Sequence, residues 1–157
     1  MSNKIQPTLA LYNKLSGLPM GRALFSKGLC FKAPYFSSIK PLFVELRPGY
    51  SEVMIRKRRS VLNHIGTVHA IAMCNMAELA GGTMTEVSVP LSHRWIPKGM
   101  KVEYLKKAET DLKAIATGDL PDEWPDGCEF IARVEIHDAR GQVVARMAIT
   151  MWISAKK

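Results

Sequence analysis

Glu78 is the residue on which chemistry is most readily placed. It closes the stretch Asn63-His-Ile-Gly-Thr-Val-His69-Ala-Ile-Ala-Met-Cys-Asn-Met-Ala-Glu78, which is otherwise almost wholly apolar. Such a segment reads as a long core helix, interrupted by His69, Asn75 and Glu78. A carboxylate there must be paired, protonated or functional, because an isolated charge is costly to bury. An apolar wall makes a carboxylate a stronger base. The start of such a helix offers free N–H groups and the positive end of a dipole. The backbone N–H of Ala70, with only a methyl side chain, suits a developing oxyanion.

Spacing decides whether these groups can meet. Ala70 and Glu78 are eight residues apart, or about 12 Å along one helix axis. A single reacting carbon cannot touch both. If both act, they come from two copies of the chain whose helices run antiparallel across a two-fold axis. His69 and Glu78 are half a turn out of phase, so they form no dyad within one chain. His69 is expected to hold the helix start or to line the neighbour's site. Asn63 is expected to cap the turn into the helix or to bind an ordered water. Asn75, one turn before Glu78, can hydrogen-bond it or its counterpart across the two-fold.

The surrounding elements must position these groups. Residues 8–18 read as a helix capped by Thr8, and Pro19 opens a second short one. Residues 26–40 read as irregular. Phe31, Tyr35 and Phe36 in that stretch would cover either the core or a ligand tunnel. Residues 42–47 and 51–59 form a hairpin about Pro48-Gly49-Tyr50. The helix is expected over 67–81, stopped by Gly81-Gly82. Strands are expected at 84–91, 100–108, 110–118, 129–137 and 142–153. The last two show the clearest alternation, and Asp138-Ala-Arg-Gly141 turns between them. Residues 119–128 form a loop. The result is one α+β domain over 1–157, with an N-terminal extension at 1–40 and a core at 41–155. Its antiparallel sheet curves around one central helix.

Composition narrows the classes. With 157 residues, 47% hydrophobic and 23% charged, the chain can bury a core and is not disordered. No apolar run suits a membrane span, and Met1-Ser-Asn-Lys-Ile-Gln-Pro7 lacks the apolar centre of a signal peptide. Cys30, Cys74 and Cys128 are odd in number and widely spaced, which points to reduced thiols and a cytoplasmic setting. The net charge of +8 means either solubility or an anionic ligand. Arg58, Arg59, Arg94, Lys98 and Lys101 are the candidate phosphate contacts. Trp95 could stack on an adenine or pack at an edge. His64 and His69 are five apart, not the four of a helical zinc pair, and no metal is expected. Nucleic acid is not expected as a partner.

The segment from Asn63 resembles the active-site region of hotdog-fold acyl-CoA thioesterases. The nearest pattern is the phenylacetic-acid-pathway and 4-hydroxybenzoyl-CoA type, in a branch that looks like an uncharacterised domain of unknown function. That pattern is Asn63, Gly66, His69, Ala70 and Glu78, at matching spacings, and it covers about residues 41–155. The resemblance implies a hotdog fold and hydrolysis of an acyl-CoA thioester, with coenzyme A arriving as part of the substrate and no separate cofactor. It implies a homodimer or dimer of dimers with composite sites. Glu78, Asn63, His69 and Ala70 would form the catalytic set, and Arg58, Arg59, Trp95 and Lys98 would bind substrate. Glu78 would serve as general base or as nucleophile. The alternatives are a non-catalytic acyl-CoA binder and an acyl-chain dehydratase. The chain departs from the pattern at Ala70, often Gly, and at Ile96 before Pro97, where relatives carry a hydroxyl. Thr83 and Thr85 are the nearest substitutes for that hydroxyl.

Overall fold

The computed structural model describes residues 5–157. Two helices lead in, α1 (Pro7–Ser16) and α2 (Gly21–Lys32), followed by a 3-10 turn at Pro34–Ile39. Next come β1 (Leu42–Arg47), β2 (Tyr50–Ile55), the long helix α3 (Ala70–Ser88), β3 (His93–Tyr104), β4 (Leu112–Thr117), β5 (Cys128–Asp138) and β6 (Val143–Ala155). The strands make one six-stranded sheet in the order β1-β2-β4-β5-β6-β3, every pair antiparallel. The sheet curves around α3, which touches all six strands. This is the α+β arrangement expected from the sequence.

The core forms where the two periodicities meet. Met76, Ala77, Ala80 and Met84 of α3 are fully buried. They pack against inward residues of the sheet such as Ala114, Ala132, Ile149 and Met151. The alternation read in 129–137 and 142–153 is seen as β5 and β6, each a little longer than expected. Gly141, at φ +80°, closes the turn between them.

The helix lies three residues later at its start than expected and seven later at its end. Gly81-Gly82 does not stop it. A Cβ built on Gly81 would lie 3.0 Å from Ile149 Cδ1, and one on Gly82 would lie 3.0 Å from the Trp95 ring. Both glycines are places of close approach, and tertiary packing outweighs their poor helix propensity. The strand expected at 84–91 is therefore the last turns of α3 and the loop after it. Its β-branched residues are buried in helical geometry, and Pro90 follows the end at Val89. Four strands, not five, follow the helix.

Smaller differences have similar causes. Residues 26–32 are helical rather than irregular. Ser26 Oγ returns a 2.7 Å bond to the Arg22 carbonyl, so the hydroxyl does not interrupt α2. Pro7 occupies the first turn of α1 after Gln6, so Thr8 is inside the helix rather than its cap. β2 ends at Ile55, leaving the basic run 56–59 outside the sheet. β3 begins seven residues earlier than expected. It is an edge strand, where Pro97 is tolerated, and a bulge lies between Pro97 and Gly99.

The N-terminal helices close the other edge. The backbone N–H of Phe43 in β1 donates to Ser26 Oγ at 2.9 Å. The Tyr12 hydroxyl donates to the Val44 carbonyl at 2.9 Å. Phe25 sits edge-on between Tyr12 and Phe43, with ring centroids 5.1 and 5.2 Å apart. These contacts fix α1 and α2 beside the sheet and over one flank of α3.

Candidate active site

The approach to α3 is organised by Asn63. Its Oδ1 accepts from the N–H groups of Ile65 and Thr67, both at 3.1 Å, and its Nδ2 donates to Thr67 Oγ1 at 2.8 Å. Gly66, at φ +80°, supplies the left-handed position this turn needs. The spacing from Asn63 to Gly66 is thus a turn geometry. His69 is the N-cap, and its Nδ1 accepts the Ile71 N–H at 3.0 Å. Ala70 is the first helical residue. Among the described residues its N–H has no acceptor in the chain, so the donor is free at the positive end of the helix.

Glu78 lies two turns further on, half-buried, with no hydrogen bond or ion pair among the described residues. It lines a mostly apolar cavity of about 470 Å³. One wall is a face of α3 formed by Glu78, Leu79, Gly82, Thr83 and Glu86. The roof comes from Leu11 of α1, from Phe25, Gly28 and Leu29 of α2, and from Phe36 of the 3-10 turn. Trp95 and Pro97 of β3 complete it. The aromatic N-terminal segment therefore contributes to a cavity through Phe36, whereas Phe31 is 92% exposed and stands outside it.

The other sequence candidates separate. Trp95 lines the cavity with the tip of its ring against Gly82, and its indole N–H is held by Glu86 at 2.6 Å. That leaves it a packed wall rather than an open stacking platform. Lys98 pairs with Glu129 at 2.7 Å and sits over the Trp152 ring, away from the cavity. Arg58 donates to the Ser38 carbonyl at 2.7 Å, at the end of the 3-10 turn. Arg59 is exposed beside it, and neither lines the cavity. Asn63 and His69 are likewise engaged at the helix entry. Of the eight site candidates, Glu78 and Trp95 share one cavity.

Three residues at the cavity are not singled out by the helix motif. Lys32 is its lining cation, and Glu86 is a second carboxylate. Thr83 lines it beside Glu78, and its hydroxyl makes no bond within the described residues. Thr85 is not equivalent: it is fully buried and donates to the Gly81 carbonyl at 2.7 Å. Asn75 does not bond Glu78. It donates to Ser38 Oγ at 3.1 Å, fixing the 3-10 turn to α3, and its Oδ1 is buried without a partner. Nearby, Cys74 Sγ and the Tyr104 hydroxyl are 3.1 Å apart. That contact, followed by burial, pushes the Tyr104 hydroxyl up to about 12. Among the described residues, no group of three His, Cys, Asp or Glu side chains is placed to hold a metal ion. No helix among them is long and apolar enough to cross a membrane.

Residues 21–153 match the family model for DUF4442, a domain of unknown function. The chain belongs to the DUF4442 family. A crystal structure of a genomics target, APC5556, is 49% identical to this DUF4442 chain. It superposes with a TM-score of 0.83, covering 95% of this chain and 98% of that one. A thioesterase from Haemophilus influenzae, HI1161, is 12% identical with a TM-score of 0.71, covering 82% of this chain and 87% of its own. A thioesterase family protein from Silicibacter pomeroyi is 17% identical with a TM-score of 0.70, covering 83% and 96% respectively. At these identities the last two carry the fold: the DUF4442 chain has the hotdog fold. No curated protein matches the sequence.

Proposed function

We propose that the chain hydrolyses acyl thioesters of coenzyme A, at a site shared between two copies. The observation that carries this is Glu78, an unpaired carboxylate on the wall of an apolar cavity of acyl-chain dimensions. The thioesterases among the structural relatives lend support at the level of fold. The free Ala70 N–H supplies the other half of the machinery, too far along the same helix to serve the same carbonyl. β3 is an uncovered edge of twelve residues. Pairing two such edges across a two-fold axis sets two α3 helices antiparallel. It carries the start of one helix toward Glu78 of the other.

In this reading Glu78 removes a proton from water while the water oxygen attacks the thioester carbon. Thr83, the free hydroxyl beside it, orients that water. Negative charge on the carbonyl oxygen is held by the N–H of Ala70 of the partner subunit. Collapse of the tetrahedral intermediate breaks the C–S bond. The proton on Glu78 passes to the departing sulfur, giving a carboxylic acid and the coenzyme A thiol. Lys32, which lines the cavity, meets the anionic carrier, with Arg58 and Arg59 further out. Three unpaired cysteines fit a reducing, cytoplasmic compartment.

The test is release of free thiol from a panel of acyl-CoA thioesters. Glu78→Gln keeps the side-chain shape and should lower kcat by about a hundredfold or more. Binding without turnover by the unaltered protein would instead make it a carrier or sensor.

A further inference from the structure

We infer that the Trp95–Glu86 pair is a chain-length stop, and that the acyl group accepted is of medium length. The inference rests on the reading of Glu78 as the place where the thioester carbonyl lies. From there the cavity follows one face of α3 to Glu86, eight residues on, a distance of about 12 Å. An extended chain advances about 1.2 Å per bond, since three backbone bonds span roughly 3.6 Å. The Trp95 ring already reaches Gly82, four residues and about 6 Å on, so the cavity holds between about five and ten carbons beyond the carbonyl.

Both ends are defined by contacts. At the Glu78 end the 3-10 turn is fixed to α3 by Asn75 and Ser38. At the Glu86 end the Gln6 side chain donates to the Val89 carbonyl and pins the start of α1 to the end of α3. Trp95 walls this end, its ring running from Gly82, which has no side chain to hold it off the helix, to Glu86. Its N–H is locked onto the Glu86 carboxylate. Glu86 and Trp95 also line a second, smaller hollow of about 140 Å³ whose other walls include His93, Arg94 and Lys156. The pair thus forms the partition between an apolar channel and a polar one. A longer alkyl tail would have to displace a hydrogen-bonded indole and then enter a charged hollow, and both are unfavourable.

The experiment measures binding of S-alkyl coenzyme A thioethers, which cannot be hydrolysed, from four to sixteen carbons by calorimetry. Affinity should rise about three- to fourfold per methylene, as expected for burial in an apolar channel. The rise should stop between about five and ten carbons. Trp95→Ala removes the partition and should move the break to longer chains. Because Trp95 also packs against the core, a second variant guards against simple unfolding. Gly28→Leu adds bulk to the roof at a position where a Cβ meets nothing within 4 Å, and it should move the break to shorter chains. A series that is flat with length, or a break that neither variant moves, overturns the inference. A clear break with no turnover of the matching thioesters would sink the hydrolase reading and leave the stop standing. Turnover with a flat series would do the reverse.

Discussion

The Trp95 indole N–H donates to Glu86 Oε2 at 2.6 Å, tying the open edge strand to the last turns of the central helix. The bond joins residues nine apart in sequence but on different elements. It holds the tip of a large ring against Gly82.

Trp95→Phe keeps most of the ring and loses only that bond. We expect a loss of about 1 kcal/mol, the usual value for a part-exposed hydrogen bond. Trp95→Ala also loses the ring packing and should cost about 3 kcal/mol or more. Urea denaturation of both variants reads the difference. A Trp95→Phe variant as stable as the parent would show that the bond contributes nothing.

A mixing experiment probes the shared site. Ala70→Pro removes the free N–H at the first helical position, where proline is well tolerated. It should lower kcat by roughly a hundredfold or more with helicity retained. Glu78→Gln should be similarly impaired. Mixed after reversible dissociation, the two variants should recover about a quarter of normal activity, because half of the random dimers carry one intact composite site of two. No recovery would mean that both groups serve one chain or that one of them is idle.

Gly21 joins α1 to α2. A Cβ there would lie 1.7 Å from the Leu15 carbonyl oxygen. Gly21→Ala should therefore cost about 3 kcal/mol or more, since backbone has to move. Hydrogen exchange should quicken across residues 7–32, the roof of the cavity, and thiol release should fall with it. Unchanged stability would place the corner differently.

Tyr50 gives a test at alkaline pH. Burial first, and its bond to Glu52 second, push its hydroxyl up from 10.0 to about 12. A raised folded-state value means that its contribution is fully present below about pH 10 and is lost as pH rises toward 12. Thermal stability should start to fall above about pH 10. Tyr50→Phe should flatten part of that fall. A Tyr50→Phe profile identical to that of the parent would remove Tyr50 as a cause.

The strands that alternate most cleanly, β5 and β6, were legible because a period of two is local. The helix was legible as an element but not in its bounds. Gly81-Gly82 has the form of a stop, and what overrides it is contact with Trp95 and Ile149 from distant strands. Glu78 stood out because a carboxylate is rare on an apolar helix. The motif residues Asn63 and His69 were visible too, but their bonds to Thr67 and Ile71 are turn and cap contacts that spacing alone cannot distinguish from chemistry. Lys32 and Glu86 gave no signal. They join the cavity only because α2 folds back over α3, a relationship no short window contains.

Ser26 and Tyr12 occupy backbone groups of β1, while among the described residues no strand pairs with the outer side of β3. A sheet with two bare edges can add neighbours without end and grow into a fibre. A sheet with one bare edge can add one neighbour, after which nothing is left to extend. The lead-in helices thus act as a terminator of growth at β1: any strand-to-strand association of this chain is left to the β3 edge.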